Sequence, residues 1–394
     1  MKMNQIILRN MKNIYTILLL MSLLDAIKGQ NESKINNSNS EKTLLNNRKR
    51  KLQEDNYIIV IYNQDVEYSN GFSNRYRKIN KIVYNNLEYA STQPLSIIAN
   101  QEIQIYVNEE TISLEGFFYF YYDLNAQKIK LVDFSHFSSS LKTNMNYLFN
   151  GCSSLQNIIF LNFDTSKVET MDGVFKGCTS LSSLDLTSFD TSSVSSMMSM
   201  FQNCENLESL KLSSFVTSKV KIMENMFSGC KSLLSLDLSS FDTSSVTNMW
   251  RMFYQCEKLE SVKLSNFITS KVESMEFMFS GCISLKSLDL SSFKTPLLEQ
   301  SGKMFDGCNR LESIRLSNFT GSSLTGIDYM FNGCNMLKFL DIQKCNDVTA
   351  SSITSMFGQV ENLEYINIYN VAQNGNLASA ILDGLNTIDK LLKL

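Results

Sequence analysis

The sequence predicts an α/β solenoid: a parallel sheet along one face, short helices along the other, and a small N-terminal β domain at one end. Three observations carry this. Eight of the nine cysteines stand at 152, 178, 204, 230, 256, 282, 308 and 334, always 26 residues apart. A phenylalanine precedes each by three positions, from Phe149 to Phe331, and a ninth, Phe357, has Val360 where the cysteine would be. Within each interval the apolar spacing changes from steps of three and four to steps of two, the mark of a helix followed by a strand.

In chain order, residues 1–29 read as a secretory signal peptide. Lys2, Arg9 and Lys12 precede an apolar run from Ile14 to Leu24, and the small residues Ala26 and Gly29 follow. The run is about eleven residues, against the roughly 20 of a bilayer span, so an uncleaved signal anchor is the lesser alternative. Cleavage is expected near Gly29, and Met11 is a second candidate start. Residues 30–51 are polar and Asn-rich and are expected to form a disordered tether ending in the basic cluster Arg48 to Lys51. Asn31, Asn36 and Asn318 each begin an N-glycosylation acceptor triplet.

Residues 52–130 lack the repeat and are rich in tyrosine. Strand-like runs at Tyr57–Tyr62, Lys81–Tyr84, Ile103–Val107, Phe117–Tyr122 and Lys128–Val132 make this a small β domain. Its least role is to cover the open apolar end that any solenoid has.

Residues 131–371 are the solenoid. In one unit Val194, Met197, Met200, Phe201, Cys204 and Leu207 mark one helix face, with Thr191 or Ser192 as its N-cap. The residue before each cysteine is usually glycine (151, 177, 229, 281, 307, 333) and once Asn203, residues that enter the left-handed region cheaply and end a helix. Leu207-x-x-Leu210-x-Leu212-x-x-Phe215 then marks a short strand with Leu210 and Leu212 inward. Ten such strand positions, from Val132/Phe134 to Ile366/Ile368, pairing about 4.8 Å apart, give a sheet on the order of 45 Å long. Residues 372–394, with Leu377, Ile381, Leu385, Ile388 and Leu392 at helical spacing, form the C-terminal capping helix.

Blocks of the form M-x-x-M-F-x-G-C-x-x-L-x-x-L-x-L-x-x-F-x-T-S, such as Met223 through Ser244, resemble the leucine-rich repeat family in its BspA-type surface-protein form. The resemblance covers residues 131 to 371. It implies a secreted or cell-surface protein that binds other proteins or matrix. One departure matters: where many such repeats carry Asn in the turn, this chain has Phe163, Phe189, Phe215, Phe241, Phe267, Phe293 and Phe319. A stacked Phe spine with nearby Thr hydroxyls is expected to replace the Asn ladder.

Coils two apart, 204–229 and 256–281, match each other better than adjacent coils do, so the unit of duplication is a pair of coils. The exposed strand position correspondingly reads Asp185, Lys211, Asp237, Lys263, Asp289, Arg315, Asp341. Alternation avoids like-charge repulsion along the concave sheet. It serves register and solubility in one reading and a charge-striped binding surface in another. On the opposite, convex face Met198 and Trp250 stand where other coils have Asp172, Glu224, Glu276 or Asp328, and Ile222, Tyr254 and Phe277 also replace polar equivalents. Met198, Ile222, Trp250 and Phe277 are the candidate partner patch.

Composition excludes several functions. Formal charge is −3, from 36 basic and 39 acidic residues, which leaves no electrostatic footprint for nucleic acid. The single histidine, His136, cannot furnish a multi-His metal site, and no phosphate loop, GxSxG or HExxH occurs. No catalytic, cofactor or metal residue is expected. Stacked cysteines are read as free, buried thiols, with disulfides between coils as the alternative. With no second apolar stretch the mature chain has no expected membrane span. The sequence thus describes an exported solenoid acting by protein or extracellular-matrix binding, the alternative being a self-associating coat or matrix component.

Overall fold

The computed structural model describes residues 57–68, 79–90, 93–107, 113–118, 125–137, 143–161, 163–316, 324, 326–342 and 355–368. The expectations for 1–29, 30–51 and 372–394, for Phe319, and for Asn31, Asn36 and Asn318 lie outside those residues.

The N-terminal strands are β1 (Tyr57–Tyr62), β2 (Val66–Tyr68), β3 (Ile79–Tyr84), β4 (Leu87–Ala90), β5 (Leu95–Ile97), β6 (Glu102–Val107) and β7 (Ile129–Asp133). Alternation along β1 turns Ile58, Val60 and Tyr62 into the core. Asn85 and Asn86, both at positive φ, close the β3–β4 hairpin, as a two-residue loop matched to strand twist requires. Strand β1 lies between β6 and β7, antiparallel to both. Strand β7 pairs in parallel with β8 (Asn157–Ile159), the first strand with the repeat, so one sheet of order β4-β3-β6-β1-β7-β8 runs from the N-terminal part into the solenoid.

The remaining coils each give one three-residue strand: β9 (Ser183–Asp185), β10 (Ser209–Lys211), β11 (Ser235–Asp237), β12 (Ser261–Lys263), β13 (Ser287–Asp289), β14 (Ser313–Arg315), β15 (Phe339–Asp341) and β16 (Tyr365–Asn367). Equivalent residues pair in register, Leu210 with Leu184 and Leu236 with Val262. The sheet is not continuous. It falls into β9–β10, β11–β12 and β13–β14–β15–β16, the first two being a coil pair each.

The expected helices on the other face are absent among the described residues. In their place each coil runs through consecutive tight turns. The amides of Met197, Ser199, Phe201 and Asn203 donate to the carbonyls of Ile222, Glu224, Met226 and Ser228 in the next coil at 2.7–3.1 Å. The intervening amides of Met200, Gln202 and Cys204 reach back three residues, to Met197, Ser199 and Phe201. A helix closes over four residues; closure over three is a β-turn, and Ser199 and Asn203 at its third position have φ of 57° and 59°, the sign of type II. Tandem turns also bring every third side chain to one side, so Val194, Met197 and Met200 have a spacing that both structures share. The turn face wins because its amides bond to the neighbouring coil. Its parallel bridges run unbroken from Ser113 through Asn144, Thr170, Ser196, Ile222, Asn248, Ser274 and Gln300 to Gly326. This face is the continuous spine of the solenoid.

The spine also starts earlier than the repeat. Of the expected strand Phe117–Tyr122, Phe117 and Phe118 lie instead in a turn at 115–118, with the amides of Gly116 and Phe118 donating to the carbonyls of Asn146 and Leu148, and 119–122 lie outside the described residues. Phe118 stacks on Phe149 at 5.6 Å, heading a continuous stack through Phe175, Phe201, Phe227, Phe253, Phe279, Phe305 and Phe331 to Phe357. The second phenylalanine row is looser: Phe163–Phe189, Phe215–Phe241 and Phe267–Phe293 stack at 6.0–6.3 Å.

Threonine does the hydrogen bonding that Asn would do elsewhere. Thr191 is no helix cap: its buried hydroxyl donates to the Val216 carbonyl and accepts from the Val216 amide. Thr165, Thr243 and Thr269 make the same two-way bond to Asp190, Ile268 and Lys294. The eight described cysteines are free and buried, and each of them donates to a backbone carbonyl of the preceding coil's phenylalanine stack, Cys204 to Phe175 at 3.1 Å.

Candidate functional site

The charge row on the sheet is bonded in pairs. Lys211 meets Asp185 at 2.8 Å, Lys263 meets Asp237 at 2.6 Å and Arg315 meets Asp289 at 3.6 Å. Each base takes the acid of the coil before it, so the bonds fall within the coil pairs that also share strand hydrogen bonds. The carboxylates do two jobs. One oxygen of Asp185 accepts from the amide and hydroxyl of Thr187, closing the turn after the strand, while the other takes Lys211. Lys211 and then Thr187 hold the Asp185 carboxyl down to about 2, from a usual 3.8. Asp237 is lowered by Lys263 and Ser239, and Asp289 by Ser291 ahead of Arg315. Asp341, the last of the row, is buried at the β15 end.

A second row on the same face runs in the opposite phase. Lys286 pairs with Glu260 at 3.3 Å and Lys338 with Glu312 at 3.7 Å. Coil by coil, Glu260 accompanies Lys263, Lys286 accompanies Asp289, and Glu312 accompanies Arg315. Over β12–β15 the two rows therefore form a checkerboard of alternating charge. A shallow cavity of about 340 Å³ lies over β13–β15, lined by Leu288, Asp289, Arg315 and Phe339.

The turn face is organised differently. Of the four apolar candidates, the structure gathers Trp250 and Phe277 around a residue the sequence pattern had not singled out, Arg251. Its guanidinium lies 4.3 Å from the Trp250 ring, 4.9 Å from Tyr254 and 4.7 Å from Phe277. Tyr254 and Phe277 meet edge to face at 6.1 Å. One coil further, Lys303 sits 5.1 Å from Phe277 and 5.5 Å from Tyr329. Met198 and Ile222 are half-buried on the two preceding coils of this face, as Trp250 and Phe277 are on theirs. Asp172 accepts from the Met198 amide, and Ile222 belongs to the bridge spine.

Arg251, Phe277, Lys303 and Tyr329 occupy equivalent turn positions with φ of 53–57°. That left-handed conformation is uncommon for bulky residues. It aims their side chains along the stacking direction, so a cation on one coil meets a ring on the next. The signal was readable at 26-residue intervals: cation, ring, cation, ring. It was missed because the position was taken for one of the outward faces of a helix.

No described group of three His, Cys, Asp or Glu side chains could hold a metal ion, and no described helix is long and apolar enough to cross a membrane.

Coil stacking, paired ladders and a buried Phe–Cys core define a parallel β-solenoid repeat protein. The chain belongs to the family described as "Mycoplasma protein of unknown function, DUF285", whose model matches residues 112–236, 197–313, 223–340 and 286–384. No curated protein matches by sequence. Among solved structures it is similar to a TLR13–ssRNA13 complex, at 17% identity and TM-score 0.27, over 68% of this chain and 40% of that one. It is similar also to a leucine rich cell surface protein of Faecalibacterium prausnitzii A2-165, at 17% identity and TM-score 0.19, over 67% of this chain and 83% of that one.

Proposed function

We propose that this chain is an exported, BspA-like surface protein that acts by binding a protein or matrix partner and carries no catalysis. The observation that carries the reading is the contrast between the two faces. On the sheet, five cations each have an acid within 4 Å. On the turn face a tryptophan, a tyrosine and a phenylalanine crowd one arginine, the residue types that dominate binding hot spots. In this reading residues 1–29 direct export, 52–130 and 372–394 cover the two ends of the solenoid, and the Trp250 cluster is the contact surface.

The test is binding of the full chain to a panel of cell-surface and matrix proteins, repeated with Trp250→Ala/Phe277→Ala and with Asp237→Lys/Lys263→Asp. Saturable binding lost only in the aromatic pair is expected. Loss in the charge swap alone, falling with added salt, would move the interface to the sheet.

The self-associating alternative draws on Val216 and Ile268, two coils apart and 46% and 49% exposed beside the threonine ladder. Sedimentation that shows concentration-dependent oligomers, abolished by Val216→Asp/Ile268→Asp, would favour it over recognition of a foreign partner.

A further inference from the structure

Resting on that reading of the turn face, we infer that the Trp250–Arg251–Tyr254–Phe277 cluster is a carboxylate-accepting socket, and that its partner is an acidic peptide segment with an apolar residue beside the acid.

The charge state of the cluster is the starting point. Arg251 is surrounded by rings, and its Nε is buried with no hydrogen-bond partner. Among the described residues no acid lies within ion-pair distance of Arg251 or Lys303. The nearby Glu224 carboxylate is already engaged by the side-chain amides of Asn225 and Asn248. A guanidinium has five donors in a planar fork and never loses its charge, and its strongest bonds are to carboxylates. Rings stabilise the cation from their faces but accept no ordinary hydrogen bond, so they leave the Nε donor unmet. Every base of the sheet rows, by contrast, has its own acid.

Charge complementarity also limits the partner. Asp172, Glu224, Glu276 and Asp328 recur along the same face, and the whole chain carries −3, so an extended polyanion meets repulsion on both sides of the socket. A single carboxylate, or two spaced to reach Arg251 and Lys303, does not. The half-buried rings of Trp250 and Phe277 supply the apolar contact that a flanking side chain needs.

Trp250 is the only tryptophan, so its emission reports this site alone. The full chain is titrated with a short synthetic peptide of two glutamates flanking a phenylalanine, with its glutamine counterpart, and with a single-stranded oligonucleotide and heparin. A saturable change with the glutamate peptide only, weakened about tenfold or more in Arg251→Asn, is the expected result. Asparagine tolerates the left-handed backbone there, and circular dichroism confirms that the variant folds. An equal response to the glutamine peptide would overturn the carboxylate inference while leaving the contact surface standing. A response confined to oligonucleotide or heparin, or none to the glutamate peptide, would overturn it as well. Panel binding that survives Trp250→Ala/Phe277→Ala would instead count against the surface itself.

Discussion

The Thr191 hydroxyl donates to the Val216 carbonyl at 2.9 Å and accepts from the Val216 amide at 2.8 Å, joining two coils through one buried oxygen. Thr191→Val keeps the shape and removes both bonds, leaving a donor and an acceptor of the neighbouring coil without a protein partner. Expected destabilisation is about 1–3 kcal/mol. Thr191→Ser retains the oxygen and recovers most of it. Urea midpoints of the three proteins provide the comparison; equal midpoints for Val and Ser would show that the hydroxyl contributes nothing.

The thiols are expected to be silent in the folded chain. Desolvation pushes Cys230 and Cys308 up to about 12, and raises the other resolved thiols well above their usual range. Thiolate is the reactive form, so an aromatic disulfide reagent at pH 8 should leave the eight ladder cysteines unmodified until denaturant is added. Fast reaction of any of them under native conditions contradicts the stacked packing.

Two glycines separate backbone strain from collision. Gly177 and Gly229 both have φ of +73°. A Cβ at 177 meets only Gly151 at 3.5 Å, whereas one at 229 runs into the Asn203 side chain. Gly177→Ala is expected to cost about 1 kcal/mol and Gly229→Ala about 1–2 kcal/mol more. Adding Asn203→Gly should remove the excess at 229 alone. A double-mutant cycle in thermal midpoints measures it, and an unchanged excess would refute the contact.

Acid sensitivity follows from the sheet acids. Their folded carboxyls ionise below the unfolded value of 3.8, so their contribution is complete above about pH 4 and is lost as pH falls toward the folded value, about 2 for Asp185. Over that window the unfolded chain takes up protons that the folded chain does not. These groups are exposed and salt-screened, so the effect is small for each one. Asp185→Asn/Asp237→Asn should lower stability at pH 6 and flatten its decline between pH 4 and 2. An unaltered acid limb in thermal melts would assign the decline to other carboxylates.

The strand positions were legible because Leu184/Leu186 and their equivalents alternate strictly, and period two has no close competitor. The left-handed residues before the cysteines were legible too, since Gly151 and Asn203 belong to the few types that adopt positive φ easily. The neighbouring helix was misread. A three-residue step serves tandem turns as well as it serves a helix, and bulky Arg251, Phe277, Lys303 and Tyr329 at positive φ hid the turn chemistry. Phe118 escaped notice because it precedes Phe149 by 31 residues, outside the 26-residue period.

From the sequence alone came the coil length, the inward residues, the buried thiols and the alternating charges, all of which depend on spacing along one chain. Where each amide finds its acceptor depends on the neighbouring coil. Only the tertiary structure could therefore decide that the turn face is the continuous spine and that the sheet breaks into coil pairs. It alone shows that Arg251 lies among three rings, because Phe277 reaches the guanidinium only where the next coil stacks on the one that carries Trp250, Arg251 and Tyr254.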